Sequence, residues 1–271
     1  MNAIREVFHE AMQQGDGVLI GYIMAGDPSP ELTPQIADAL INGGVDILEL
    51  GLPFSDPIAD GPTIQAAGVR ALAAGTTPLK VLEIAKQIKQ QHNVPIVVMT
   101  YYNPVFRIGI DKFLDLAKEH LVDGFIVPDL PVEEAADYRK AAEANGLDTI
   151  FLAAPSTSNE RLSKIVTCSS GFIYLVSHYG VTGAKTTVED STVQLIKRVF
   201  PFTAGKIPLA VGFGISKPEH IERIIAAGAD AAIVGSAFIN IIQKNSQKTS
   251  IMLKELKAAA QTLKFATKAV K

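Results

Sequence analysis

Short apolar runs recur along the chain, and each is followed by a stretch in which apolar positions return every three or four residues. The first run, 17–28 (GVLIGYIMAGDP), is closed by Gly26, Asp27 and Pro28, and a helical pattern follows over 30–44. The unit then repeats. Strand patterns at 45–51, 95–102, 124–130, 148–155, 171–179, 208–214 and 229–236 alternate with helical ones, of which the run after 45–51 supplies two, at 62–75 and 77–91. Runs of this length without polar alternation read as strands buried on both faces, hence parallel, with the helices as crossovers.

Eight strand–helix units over about 240 residues match a closed (β/α)8 barrel better than an open sheet. The expected fold is therefore α/β, a single-domain TIM barrel over 1–271, with extra N-terminal and C-terminal helices as decorations. Barrel chemistry sits at the C-terminal strand ends. That rule selects Tyr22, Glu49, 101–103, Pro128 and Asp129, Pro155 and Ser156, 174–177, 212–214, and Gly235 with Ser236.

Composition narrows the function classes. A 48% hydrophobic content with 20% charged residues can fill a large core and leaves no room for a long disordered tract. A net charge of -3 provides no basic field for nucleic acid or anionic lipid. No apolar run reaches the length of a membrane span, and the N-terminal MNAIREVFHEAMQQ is an acid-containing amphipathic helix pattern unlike a signal peptide, which points to the cytoplasm. Cys168 stands alone, and the five histidines form no ligand pair, so neither a disulfide framework nor a metal site is expected.

The chemistry concentrates in 45–61, VDILELGLPFSDPIADG. Glu49 interrupts an apolar strand, and a carboxylate there is costly unless it is paired, protonated or used. Asp60 follows eleven residues later, behind Pro53 and Pro57, on a loop at the same end of the barrel. Two acids converging on one pocket suit general acid–base chemistry, the alternatives being a buried structural acid and a loop cap. Glycines after the seventh and eighth strand patterns put backbone amides where an anion can approach, unless they only make tight turns. Ser216 and Glu219 have capping-box spacing. The Gly/Thr-rich 177–190 reads as a lid or as a disordered insertion, with Gly183 able to add an amide and Thr182 a hydroxyl.

Glu49 to Gly61 with Pro62-Thr63-Ile64-Gln65, Gly26-Asp27-Pro28, Gly180 to Ala184, Gly212 to Ser216 and Gly235-Ser236-Ala237 together resemble the tryptophan synthase α subunit family over nearly the whole chain. The resemblance implies a lyase that cleaves indole-3-glycerol phosphate to indole and glyceraldehyde 3-phosphate, in L-tryptophan biosynthesis. It implies Glu49 as the acid–base and Asp60 as the acceptor for the indole nitrogen. It assigns Tyr22, Tyr174, Thr182 and Phe213 to the surroundings of the indole and acids, and Gly183, Gly214, Gly235 and Ser236 to the phosphate. Asp56 and Pro57 would meet a β subunit in an α2β2 complex, or be turn residues only. Pyridoxal phosphate is expected in that partner and no cofactor in this chain. A stand-alone lyase and a catalytically silent regulatory barrel are the other readings. Tyr22 stands where many members have Phe, and His178-Tyr179 where bacterial members often have Arg plus a small residue.

Overall fold

The computed structural model describes residues 2–176, 190–212 and 214–268. After helix α1 (Ala3–Gln14) come β1 (Val18–Met24), α2 (Thr33–Ile41), β2 (Ile47–Gly51), α3 (Pro62–Ala73), α4 (Pro78–Gln91) and β3 (Ile96–Met99). Then follow α5 (Tyr102–Ile108), α6 (Ile110–Glu119), β4 (Gly124–Ile126), α7 (Ala136–Ala144), β5 (Asp148–Ile150), β6 (Leu152–Ala153) and α8 (Asn159–Cys168). The last third holds β7 (Ile173–Val176), α9 (Asp190–Thr203), β8 (Leu209–Gly212), α10 (Pro218–Ala226), β9 (Ala231–Val234), α11 (Ser236–Lys244) and α12 (Thr249–Phe265).

Every strand pairing is parallel, in the order β5-β4-β3-β2-β1-β9-β8-β7-β6. The two ends of that order are consecutive in the chain, separated only by Phe151, so the sheet curls into a nearly closed barrel. This is the expected α/β barrel with additional helices at both termini. One element differs. The fifth expected strand, 148–155, is split at Phe151, although the ladder continues across the break through Ser170 N–H to Thr149 (2.9 Å) and Tyr174 N–H to Phe151 (3.1 Å). The third strand also stops early, at Met99 rather than Tyr102, because Asp129 Oδ1 takes the Tyr102 N–H (2.8 Å) and starts α5 there.

Alternation along each strand divides two cores. Leu19, Ile23, Leu48, Leu50, Val98 and Val211 face the helices. Val18, Ile20, Ile47, Val97, Ile126, Ile150, Ala210 and Ala231 fill the barrel, which α1 plugs from below with Ile4 and Phe8. Phe8 packs on Phe172 with ring centroids 5.9 Å apart. At this lower end three aspartates, each placed just ahead of a strand, accept an N–H from the first or second residue of a neighbouring strand. Asp46 takes Leu19, Asp123 takes Ile96 and Asp230 takes Leu209, each at 2.7 Å. Hydrogen bonds to a charged acceptor are worth about 1.5–3 kcal/mol, and these pin the register of three strand pairs. Lys264 of α12 pairs with Asp46 (2.7 Å), which ties the terminal helix to the barrel floor. Among the described residues, no helix is long and apolar enough to cross a membrane.

Candidate active site

Glu49 follows Ile47 by two residues and so shares its inward face, at the upper end of β2 beside Tyr22 of β1, its register partner. Its side chain is fully buried, and among the described residues neither carboxylate oxygen has a hydrogen-bond partner. Burial, with a smaller contribution from the negative charge of Asp60, pushes its pKa up to about 8. Glu49 therefore holds a proton at neutral pH and can donate it.

Asp60 reaches the same cleft from the loop between β2 and α3. It is only partly buried, and its pKa is raised above the ordinary value by burial, an effect that the Tyr101 hydroxyl offsets only in part. The two carboxyls thus differ: one sits in a dry, donor-poor site and the other has a donor that favours its charge. Tyr22 and Tyr174 are buried against them, and burial together with the two acids raises both phenol pKa values, so the hydroxyls stay protonated.

The cleft has about 510 Å³ of free space, its open mouth included. Tyr22, Glu49, Asp60, Tyr174, Gly214, Gly235 and Ser236, seven of the sequence-derived candidates, line it together. Thr182, Gly183 and Phe213, and with them the expected lid at 177–190 except Asp190, lie outside the described residues. Asp56 is exposed and Pro57 partly so, on the loop's outer side next to Ile58, which is 79% exposed. Pro155 and Ser156 are not part of the cleft lining. Apolar lining that the strand-end rule does not select comes from Ile64, Met99, Ile215 and Ile233. Ile233 belongs to the barrel-filling set and Met99 packs on it, so period-two counting from Ala231 and Val97 would have found both. Ile64 is one turn past Asp60 and needed the loop's path.

Two strand-end glycines make room for the tyrosines. A Cβ on Gly51 would lie 2.2 Å from the Tyr22 hydroxyl, and one on Gly212 2.5 Å from that of Tyr174. Gly51→Ala is expected to cost about 1–3 kcal/mol and to push Tyr22 into the cleft. Urea denaturation together with substrate KM measures both effects, and an unchanged KM would show that Tyr22 had another way to move.

Beside these tyrosines, Gly214 adopts a left-handed φ of 80° after β8, and α11 begins at Ser236 behind Gly235. Gly235 and Ser236 line the cleft where α11 begins without a side-chain cap, and a helix start there suits an anion. The expected capping box at Ser216 and Glu219 does not form. Pro218 occupies the first helical position of α10, which makes Lys217 the cap, while the Ser216 N–H donates to His220 Nδ1 (3.3 Å). Among the described residues no group of three or more His, Cys, Asp or Glu could hold a metal ion.

Known proteins resemble this chain over nearly its whole length. The family described as tryptophan synthase alpha chain matches residues 8–268. A tryptophan synthase alpha chain of Methanosarcina acetivorans is 53% identical over 258 residues, covering 94% of this chain and 93% of the relative. That of Methanothermobacter thermautotrophicus is 45% identical, with 96% of each covered. Among solved structures, Mycobacterium tuberculosis tryptophan synthase superposes with a TM-score of 0.90 at 35% identity, covering 98% of both chains. A structure of the tryptophan synthase α2β2 complex of Pyrococcus furiosus superposes with a TM-score of 0.85 at 41% identity, covering 92% of this chain and 98% of that one.

Proposed function

The chain belongs to the tryptophan synthase alpha chain family, a carbon–carbon lyase family of tryptophan biosynthesis, and from that membership we propose that its cleft cleaves indole-3-glycerol phosphate by a retro-aldol reaction. The observation that carries this reading is the pair of unlike acids, fully buried Glu49 and partly buried Asp60, lining one cleft together with Gly214, Gly235 and Ser236.

In this reading the substrate phosphate sits at the amides around Gly214, Gly235 and Ser236, joined by Gly183, and the indole lies near Tyr22, Tyr174, Thr182 and Phe213. Asp60 accepts the hydrogen bond of the indole N1–H. When the Glu49 carboxylic acid gives its proton to C3, positive charge spreads onto the ring nitrogen, and the Asp60 carboxylate stabilises it. The Glu49 carboxylate then takes the proton of the glycerol hydroxyl next to the ring. As that C–O bond becomes the aldehyde carbonyl, the electron pair of the breaking C–C bond returns to the indole. Indole and glyceraldehyde 3-phosphate leave, and Glu49 is protonated again. The chain acts as one domain in this scheme.

The partner is the tryptophan synthase β subunit, in an α2β2 assembly such as the Pyrococcus furiosus relative forms. The alpha chain is the subunit without pyridoxal phosphate, which belongs to β. The exposed outer side of the loop at Asp56, Pro57 and Ile58 is its contact face, and the cytoplasm is its compartment.

Indole release from indole-3-glycerol phosphate, measured with and without a β subunit, tests the proposal. Turnover that rises on adding β is expected. Rapid turnover indifferent to β would favour a stand-alone lyase, and none under either condition a silent regulatory barrel. Asp60→Asn is expected to lower kcat by about 10²-fold, because the amide no longer offers a negative charge to the protonated ring.

A further inference from the structure

The loop that delivers Asp60 leaves and returns beside one strand. At its start, the Leu52 N–H donates to Met99 O at the end of β3 (2.8 Å). It then runs outward through exposed Ser55, Asp56 and Ile58. On its way back it meets Tyr101, two residues beyond the same strand. The Ala59 N–H, one residue before Asp60, donates to the Tyr101 hydroxyl at 2.9 Å. Phe54 packs its ring on that of Tyr101, with centroids 5.3 Å apart. Tyr101 itself is 5% exposed and is held from behind, since Asp129 Oδ1 accepts the N–H of Tyr102 at 2.8 Å and fixes the backbone where β3 passes into α5.

We propose that Tyr101 is a positioning residue for Asp60, a latch on the barrel rim whose hydroxyl holds the returning arm of the loop at Ala59 and aims the Asp60 carboxylate at the ligand. The inference rests on the reading of Asp60 as acceptor for the indole nitrogen. A tyrosine hydroxyl suits the role because it can accept the Ala59 N–H. It thereby fixes the backbone one residue before the carboxylate, which an apolar ring of the same shape cannot do. The rigid side of the contact is a strand end backed by Asp129, and the other side is a loop whose outer face is free. Contact with Asp56, Pro57 and Ile58 therefore reaches Asp60 through the latch, and changes in loop position appear at the acid as a change in its orientation.

Tyr101→Phe keeps the ring, its burial and its packing against Phe54, and removes only the hydroxyl. Loss of this hydrogen bond beside Asp60 corresponds to a fall in kcat of about fivefold or more. KM for indole-3-glycerol phosphate should stay within about twofold, because the phosphate is anchored by other residues. Without substrate, the loss of the acceptor for Ala59 N–H should speed amide hydrogen exchange over 53–61. The measurements use the full chain, with and without a β subunit, beside wild type and Asp60→Asn. An exchange rate over 53–61 equal to that of wild type overturns the latch, as does a wild-type kcat or a loss confined to KM. If Asp60→Asn is impaired and Tyr101→Phe is not, only the latch falls. If Asp60→Asn turns over as wild type does, the reading of Asp60 falls instead, and the exchange result still decides whether Tyr101 holds the loop.

Discussion

Glu49→Gln lowers the rate of indole formation by at least about 10³-fold and at the same time makes the folded protein more stable above pH 5. Both effects come from one feature, a carboxyl with no exposure and, among the described residues, no partner for either oxygen. Glutamine has the same shape but cannot deliver a proton to carbon or take one from a hydroxyl. For stability, the pKa of Glu49 in the folded state is raised from 4.5 to about 8. The native state keeps a proton that the unfolded chain releases, so wild-type stability is fullest below the unfolded value and declines as pH rises toward about 8. At pH 7 the penalty is on the order of 3 kcal/mol. Glutamine does not titrate and escapes it, less the cost of its own unpaired amide. Chemical denaturation at pH 5 and pH 8 reads the effect as a gap between variant and wild type that widens with pH. Parallel curves would show that Glu49 is ionised in the native protein. By the same logic, wild-type kcat/KM should fall as pH passes about 8 and the acid is lost.

Arg70→Leu is the substitution away from the cleft with the largest expected cost, about 3–5 kcal/mol of stability. Asp27 closes the turn after β1 with a side chain of 0% exposure, and Arg70 on α3 grips both its oxygens, Nε at 2.7 Å and Nη2 at 2.8 Å. Removing the guanidinium strands a charge in the interior. Such a loss is a large share of the roughly 5–15 kcal/mol that holds a typical domain together. The double variant Asp27→Asn/Arg70→Leu should recover part of it, since no charge then remains buried. Urea denaturation of the two single variants and the double variant gives the coupling, and simple additivity would mean that the pair is not a unit. Because α3 starts two residues after Asp60, a loosened Arg70 clamp should also show as faster exchange in its first turn.

The barrel was legible because its signal is repetitive. Apolar runs of strand length, alternating with amphipathic helices, leave few ways to bury both faces of a sheet, and glycine or proline marks most boundaries. Glu49 was legible for a related reason: a charge inside such a run has to be explained. The failures are local. The expected strand 95–102 lost its last three residues to a side chain from β4's loop, and the capping box at Ser216 gave way to Pro218 at the first position of α10. In each case a backbone group took a partner, or a helix a start, that local pattern did not specify.

Sequence by itself determined which acids stand at the barrel mouth, which glycines flank the anion end, and that the strands are parallel and enclosed. These properties follow from period, residue type and position along a repeating unit. Tertiary structure alone decided that Glu49 is dry and protonated while Asp60 keeps a donor, because desolvation and hydrogen bonding depend on groups far apart in the chain, Tyr22, Tyr101 and Tyr174 among them. It also decided that Tyr101 holds the loop, a contact spanning 42 residues that no local pattern encodes.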